Sequence, residues 1–388
     1  MDKAFQPELI NRRGSGSYKW DNDSDPEMLP MYVADMDFKA APAIVAALQK
    51  RIDHGVFGYT QVGKEYYDAI IRWFDRRHQW KIDRDWILYT SGVVPAVSAI
   101  IKAFTHAGDG VILQTPAYNC FFSSIRNNGC TLVPNPLVYQ DGKWNIDYQD
   151  LEQKAADPRN KLLLLCNPHN PSGRVWSCDE LQQLGTICSQ HGVIVVSDEI
   201  HCELTMPGHH FTPYHTLPQA LRETAIICNS PTKSFNLAGL QIANIITQRE
   251  DYRWAIERAI NDNEVCDVNP FGPIALCAAY NESESWLDGL KQYLHGNYQL
   301  LRQSIHDAFA DRIKVMNLEA TYLPCIDTSN FSTSSSEIAE HLKSQYHVWL
   351  NPAEMYGGRQ FLRVNIACHR STLEEGIRRI TAGLRIHL

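Results

Sequence analysis

The sequence predicts an α/β fold: a parallel sheet covered on both faces, joined to a smaller α+β domain. Two observations carry this. Through the middle of the chain, short apolar strands alternate with amphipathic helices. In the last third, long helical patterns are followed by isolated strands. At 388 residues the chain can bury a large core, and two domains are expected. Taken in order, residues 86–90 read as a strand and 94–105 as the helix after it. Residues 110–114 form the next strand, ending before Tyr118. Residues 161–166 and 193–197 are strands, separated by a helix over 178–191 with apolar spacing at Leu181, Leu184 and Ile187. The apolar run from residue 225 is another strand, and it leads to Lys233. A helix spans 286–311, followed by strands at 312–315 and 360–364. Between those strands a helix starts near Ser334, which forms a capping box with Glu337. The domain boundary falls near residue 285.

Hydrophobic content of 44% and charged content of 21% suit a globular enzyme. A net charge of −8 without a basic block argues against nucleic acid as a partner. No apolar run approaches the roughly 18 residues of a membrane span, and no leader pattern opens the chain, so a cytoplasmic protein is expected. Eleven cysteines without a Cys-x-x-Cys pair point to reduced thiols. The histidines include no His-Glu-x-x-His, and His209 and His210 read as solvated loop residues. No metal site is expected.

Three buried strands each deliver a polar group at the carboxyl end: Asn170 in an Asn-Pro turn, Asp198, and Lys233. Desolvation there lowers a lysine's pKa and makes its amine nucleophilic. An amine for a Schiff base, an acid for a ring nitrogen and an amide for a phenolic oxygen are what a pyridoxal phosphate enzyme needs. Each residue also has a plainer reading. Lys233 alone could be a solvated strand end, but Ser230 and Thr232 beside it can donate to a phosphate. Asp198 could cap a helix, yet a carboxylate closing a β-branched strand is costly to bury without a cation. His201 could be a satisfied histidine at the strand exit, and turn chemistry alone accounts for Asn170. Asp198, Glu199, His201 and Glu203 make a poor metal set, because strand alternation splits them between two faces. The Ser-Gly-Val-Val turn at 91–94 offers backbone N–H groups of Gly92 and Val93 to a phosphate. Tyr118 can stack on a flat ring or simply pack in the core. Arg363, inside an apolar strand, needs either a buried acid or a substrate carboxylate.

With these residues in place, the chain resembles the fold-type I pyridoxal phosphate enzymes of the aminotransferase class I/II superfamily. Within it, the chain is similar to the MalY/PatB-type cystathionine β-lyase (carbon–sulfur lyase) branch. The resemblance runs through Trp20 and Asp21 and the segments 33–38, 54–59, 166–174, 196–201, 232–240 and 361–365. It implies a large domain over 31–285 with a mostly parallel seven-stranded sheet. A small domain over 286–388 would be joined by residues 1–30. By the same resemblance, Lys233 is the Schiff-base lysine, Asp198 the partner of the pyridine nitrogen, and Asn170 and His201 the groups at the phenolic oxygen. Tyr118 stacks on the ring, and Gly92, Val93, Ser230 and Thr232 bind the phosphate. Tyr59 is a further phosphate ligand, donated by the second subunit of a homodimer. Arg363 clamps the substrate α-carboxylate, with Asn170 and Asp35 also at the substrate. Lys233, Tyr59 and Tyr118 form the catalytic set. The implied reaction is α,β-elimination of L-cystathionine and related cysteine S-conjugates to a thiol (homocysteine), pyruvate and ammonia, within methionine and cysteine metabolism. An aminotransferase, or a regulatory protein on the same scaffold, is the alternative. Two departures stand out. Gln241 occupies a position that is usually arginine in aminotransferases, and Pro324 and Cys325 interrupt a stretch that is usually aromatic-rich.

Overall fold

Four consecutive leucines, Leu162 to Leu165, have no polar face, so only a sheet covered on both sides can shelter them. All four are at most 1% exposed, in the middle of such a sheet. The computed structural model describes residues 5–262 and 267–385. Its central sheet comprises β1 (Ile87–Thr90), β2 (Gly110–Thr115), β3 (Thr131–Pro136), β4 (Asn160–Cys166), β5 (Ile194–Asp198), β6 (Ile226–Asn229) and β7 (Ala243–Ile246), numbered within this sheet. The spatial order is β1-β7-β6-β5-β4-β2-β3, and only β7 runs against the rest. From β4 the chain proceeds outward through β5 and β6, whereas β2 and β3 lie on its other side. The order therefore reverses between β2 and β4, and ligands of open α/β sheets bind outside the carboxyl ends at such a point.

Residue 86, expected to open the first strand, lies outside it, because Arg84–Trp86 closes a 3-10 turn capped by Asp83. Similarly, Ala310–Arg312 is a 3-10 turn and the strand behind it is only Lys314–Val315. Strand β3, not legible as a strand in the sequence, contains Pro134 and Pro136; it lies at the sheet edge, where a missing N–H costs no ladder bond.

The C-terminal third builds a four-stranded antiparallel sheet in the order Lys314–Val315, Cys325–Asp327, Phe361–Arg363, Asn351–Pro352. Helix Glu284–Phe309 precedes it, and helix Ser335–Tyr346 begins with the expected Ser334/Glu337 capping box. The N-terminal segment joins this third of the chain: Leu29–Pro30 pairs in parallel with Val348–Trp349. Tyr32 stacks on Trp349 with ring centroids 4.1 Å apart. Among the described residues, no helix is long and apolar enough to cross a membrane.

Candidate active site

Parallel pairing of β4, β5 and β6 sets Cys166, Asp198 and Cys228 side by side. The chain leaves all three strands at one level, so the residues just beyond their ends converge. Asn170, Asp198, His201 and Lys233 line one cavity of about 200 Å³, together with Tyr118 from beyond β2. The Asn170 turn is closed by Gly173, whose φ of +72° suits a residue without Cβ. The Gly173 carbonyl accepts from the backbone N–H groups of Glu319 and Ala320 at 2.9 and 3.0 Å. Arg174 pairs with Glu319 at 2.5 Å, fixing this turn to the C-terminal third.

The Lys233 amine donates to the Ala34 carbonyl at 2.7 Å, and the Tyr322 hydroxyl donates to the same oxygen at 3.0 Å. Burial, followed by the charge of Arg363, lowers the Lys233 pKa. Burial pushes Asp198 up to about 7, against one backbone N–H from Ile200 and the charge of Lys233. Burial, and then the charges of Lys233 and Arg363, bring His201 down to about 3, so its ring is neutral. Its Nδ1 has no hydrogen-bond partner among the described residues. Arg363 is buried against neutral acceptors, Asn170 Oδ1 at 3.1 Å and the Tyr32 carbonyl at 2.8 Å, and its Nε is unpartnered. A lone buried carboxylate, an orphaned histidine nitrogen and a depressed lysine fit pyridoxal phosphate: a ring cation for Asp198, an anionic ring oxygen near Asn170 and His201, and a carbonyl for the amine.

Gly92, Val93 and Thr232 line the same cavity, with Gly92 as N-cap of helix Val93–Phe104. Ser230 sits behind them. Its hydroxyl donates to the Ile242 carbonyl at 2.6 Å and its oxygen accepts from the Thr232 N–H at 3.1 Å. Asp35 is engaged by Arg12 at 2.7 Å and lies 3.7 Å from Lys19; its neighbour Ala34, not Asp35, lines the cavity. Tyr59 is fully exposed at 101% and within one chain stands away from the cluster. Cys325, where the expected aromatic pattern breaks, pairs in register with Arg363, and its thiol donates to the Pro171 carbonyl at 3.4 Å. Sequence reasoning missed Ala34 and Tyr322. Ala34 acts through its backbone, which leaves no side-chain signal, and Tyr322 lies in an irregular bend before the short strand Cys325–Asp327, where no periodicity marks it.

The model of the family "Aminotransferase class I and II" matches residues 26–380. The chain is 40% identical to cystathionine beta-lyase PatB of Bacillus subtilis (strain 168), covering 96% of this chain and 98% of that one. It is 33% identical to protein MalY of Escherichia coli (strain K12), covering 97% and 98%. Among solved structures it is similar to cystalysin from Treponema denticola, which contains a pyridoxal 5'-phosphate cofactor. That match has a TM-score of 0.94 and 34% identity, covering 98% of this chain and 99% of that one.

Proposed function

The chain belongs to the aminotransferase class I and II family, and from that premise we propose how its cavity works. It is a pyridoxal phosphate-dependent carbon–sulfur β-lyase, which cleaves L-cystathionine and related cysteine S-conjugates to a thiol (homocysteine), pyruvate and ammonia. The observation that carries the site assignment is Lys233, half-buried with a pKa that desolvation lowers, in one cavity with Asp198. Arg363 binds the substrate carboxylate as a fork, since nothing anionic in its surroundings already occupies its guanidinium. With the carboxylate fixed, the Cα–H is held toward Lys233, whose neutral amine removes the proton. The bound cofactor supplies the electron sink for the charge left at that carbon. Asp198 keeps its ring nitrogen protonated, and its own ionisation is stabilised in return. Asn170 and neutral His201 would donate toward the ring oxygen, Tyr118 would pack on the ring face, and Gly92, Val93 and Thr232 would hold the phosphate, while Ser230, turned to the Ile242 carbonyl, braces Thr232 from behind. Loss of the β-thiolate, which takes up a proton to leave as the thiol, completes the elimination, and water hydrolyses the released enamine to pyruvate and ammonia.

With L-cystathionine and no keto acid, pyruvate, ammonia and free thiol are expected in equal amounts over many turnovers. A single turnover that resumes only when a keto acid is added would make the chain an aminotransferase.

The exposure of Tyr59 supports its donation across a homodimer. Val56 and Phe57 beside it are 64% and 55% exposed, an apolar patch that a second copy would cover. Mixing impaired Tyr59→Phe and Lys233→Ala proteins should therefore restore partial activity. Heterodimers that form and stay inactive would place both residues in one subunit's site. The pairing of Leu29–Pro30 with Val348–Trp349 supports a small domain of residues 286–388 joined by 1–30, against a large domain of 31–285. Asp35 keeps a place at the substrate's edge, beside Ala34. The ten cysteines described, all free, suit the cytoplasm.

A further inference from the structure

A second pocket, of about 380 Å³, lies at the opposite edge of the central sheet, where β1 begins and β7 ends. The catalytic groups sit at the carboxyl ends of the parallel strands, so this pocket is separate from them. Trp80, Lys81, Trp86, His215, Arg222 and Gln248 line it. Trp80 and His215 are each only 2% exposed. Nevertheless Trp80 Nε1, His215 Nε2 and Arg222 Nε all lack a hydrogen-bond partner among the described residues. Leaving a buried polar group unpaired costs about 1–3 kcal/mol, and three such groups at one small pocket are unusual. The indole and guanidinium nitrogens can only donate. Two cations, Lys81 and Arg222, stand at the pocket, and its lining contains no carboxylate. The His215 ring is stacked with Trp80, centroids 5.3 Å apart, and is tilted toward Trp86 at 5.6 Å, so the donors are carried on a rigid aromatic wall.

We propose that this pocket binds a small oxyanion. The ligand would be a phosphate or carboxylate group, its oxygens accepting from Trp80, Arg222 and Lys81. Unlike a surface lysine patch, the site offers, besides the exposed Lys81, the Trp80 Nε1 and Arg222 Nε donors, which are desolvated before the ligand arrives and favour a charged acceptor over water.

The test uses the holoenzyme, so that the cofactor already fills its own phosphate site. The thermal unfolding midpoint is followed while inorganic phosphate, or separately acetate, replaces chloride at constant ionic strength. A ligand that binds only the folded state raises the midpoint with concentration. At least one of the two ions should do so for the wild type, and which one does identifies the oxyanion class. Arg222→Gln and Lys81→Gln should each weaken the response at least tenfold in apparent affinity, with turnover of cystathionine unchanged. Lys81 is exposed, so its variant still decides the matter if Arg222→Gln fails to fold. If neither ion shifts the wild type, or both variants respond as the wild type does, the site does not exist.

Discussion

Asp198 and Glu203 stand five residues apart and both are buried, at 5% and 3% exposure. Glu203 accepts from Trp73 Nε1 at 2.7 Å, Arg77 Nε at 3.0 Å and His78 Nε2 at 2.6 Å. Burial opposes its charge, but His78, Arg77 and Trp73 outweigh burial and hold it down to about 2. Asp198 has one backbone N–H, from Ile200 at 3.1 Å, and the more distant charge of Lys233, and burial wins. Burial alone therefore does not mark a functional group. A carboxylate saturated with donors joins elements together, here the Lys64–His78 helix to the segment after β5. A carboxylate left short of partners is poised for a ligand. The same contrast bears on metal binding. Ligand atoms of His78, Cys202 and Glu203 lie within 4.8 Å of one another, but Arg77 already supplies the cation that Glu203 requires.

The largest expected effect falls on the unsaturated side. Lys233→Ala should lower turnover more than about 10³-fold, about 4 kcal/mol on the barrier, while the fold persists by circular dichroism. Retention of a tenth of the activity would move the nucleophile elsewhere. On the saturated side, Arg77→Leu should cost about 3 kcal/mol of stability in urea unfolding, since it strands a buried charge. Turnover per folded molecule should stay as in the wild type; a parallel loss of kcat would erase the distinction between the two carboxylates.

The smallest effect is a difference in pH dependence, measured on protein stripped of cofactor. The Asp198 pKa rises on folding from 3.8 to about 7, so its ionisation weakens the fold as pH climbs from about 4 to 7. The Glu203 pKa falls from 4.5 to about 2, so its contribution is present above 4.5 and is lost as pH drops toward 2. Each slope is at most about 1.4 kcal/mol per pH unit. Asp198→Asn should flatten the decline between pH 4 and 7, leaving the part due to Glu199, which burial pushes up to about 8. Glu203→Gln should instead lower stability above pH 4.5 and flatten the acid limb. Curves that move in the same direction would contradict the pairing geometry.

The buried strands β4, β5 and β6 were legible in the sequence because each is a short apolar run with no polar face, closed by Asn, Asp or Lys, which suits a covered strand and not an amphipathic helix. Edge strand β3 was not, since its two prolines read as a loop until its position made them harmless. Strand β7 has only four residues and runs against its neighbours, so neither length nor the βαβ rhythm announced it. Within the site, Lys233, Asp198, His201 and Asn170 were legible from strand-end placement. By contrast, Ser230 looked identical to Thr232 as a hydroxyl, and only the three-dimensional path turns it toward Ile242. Arg363 was recognised as needing an anion, and the absence of an acid among its hydrogen-bond partners could be read only from coordinates.

The loop that receives the Lys233 amine is itself held by a residue far along the chain. Asn365 donates through Nδ2 to the carbonyls of Val33 and Asp35, on either side of Ala34, and its own N–H donates to the Met31 carbonyl. On a translating ribosome, Ala34 and Lys233 both emerge long before Asn365 does. A nascent chain can form the central sheet around its strand ends, N-terminal parts first, with Arg12 and Asn236 already able to hold residues 35–38, but it lacks the Asn365 bonds on either side of Ala34. A residue encoded late thus completes the support of a loop encoded early, next to the nucleophile.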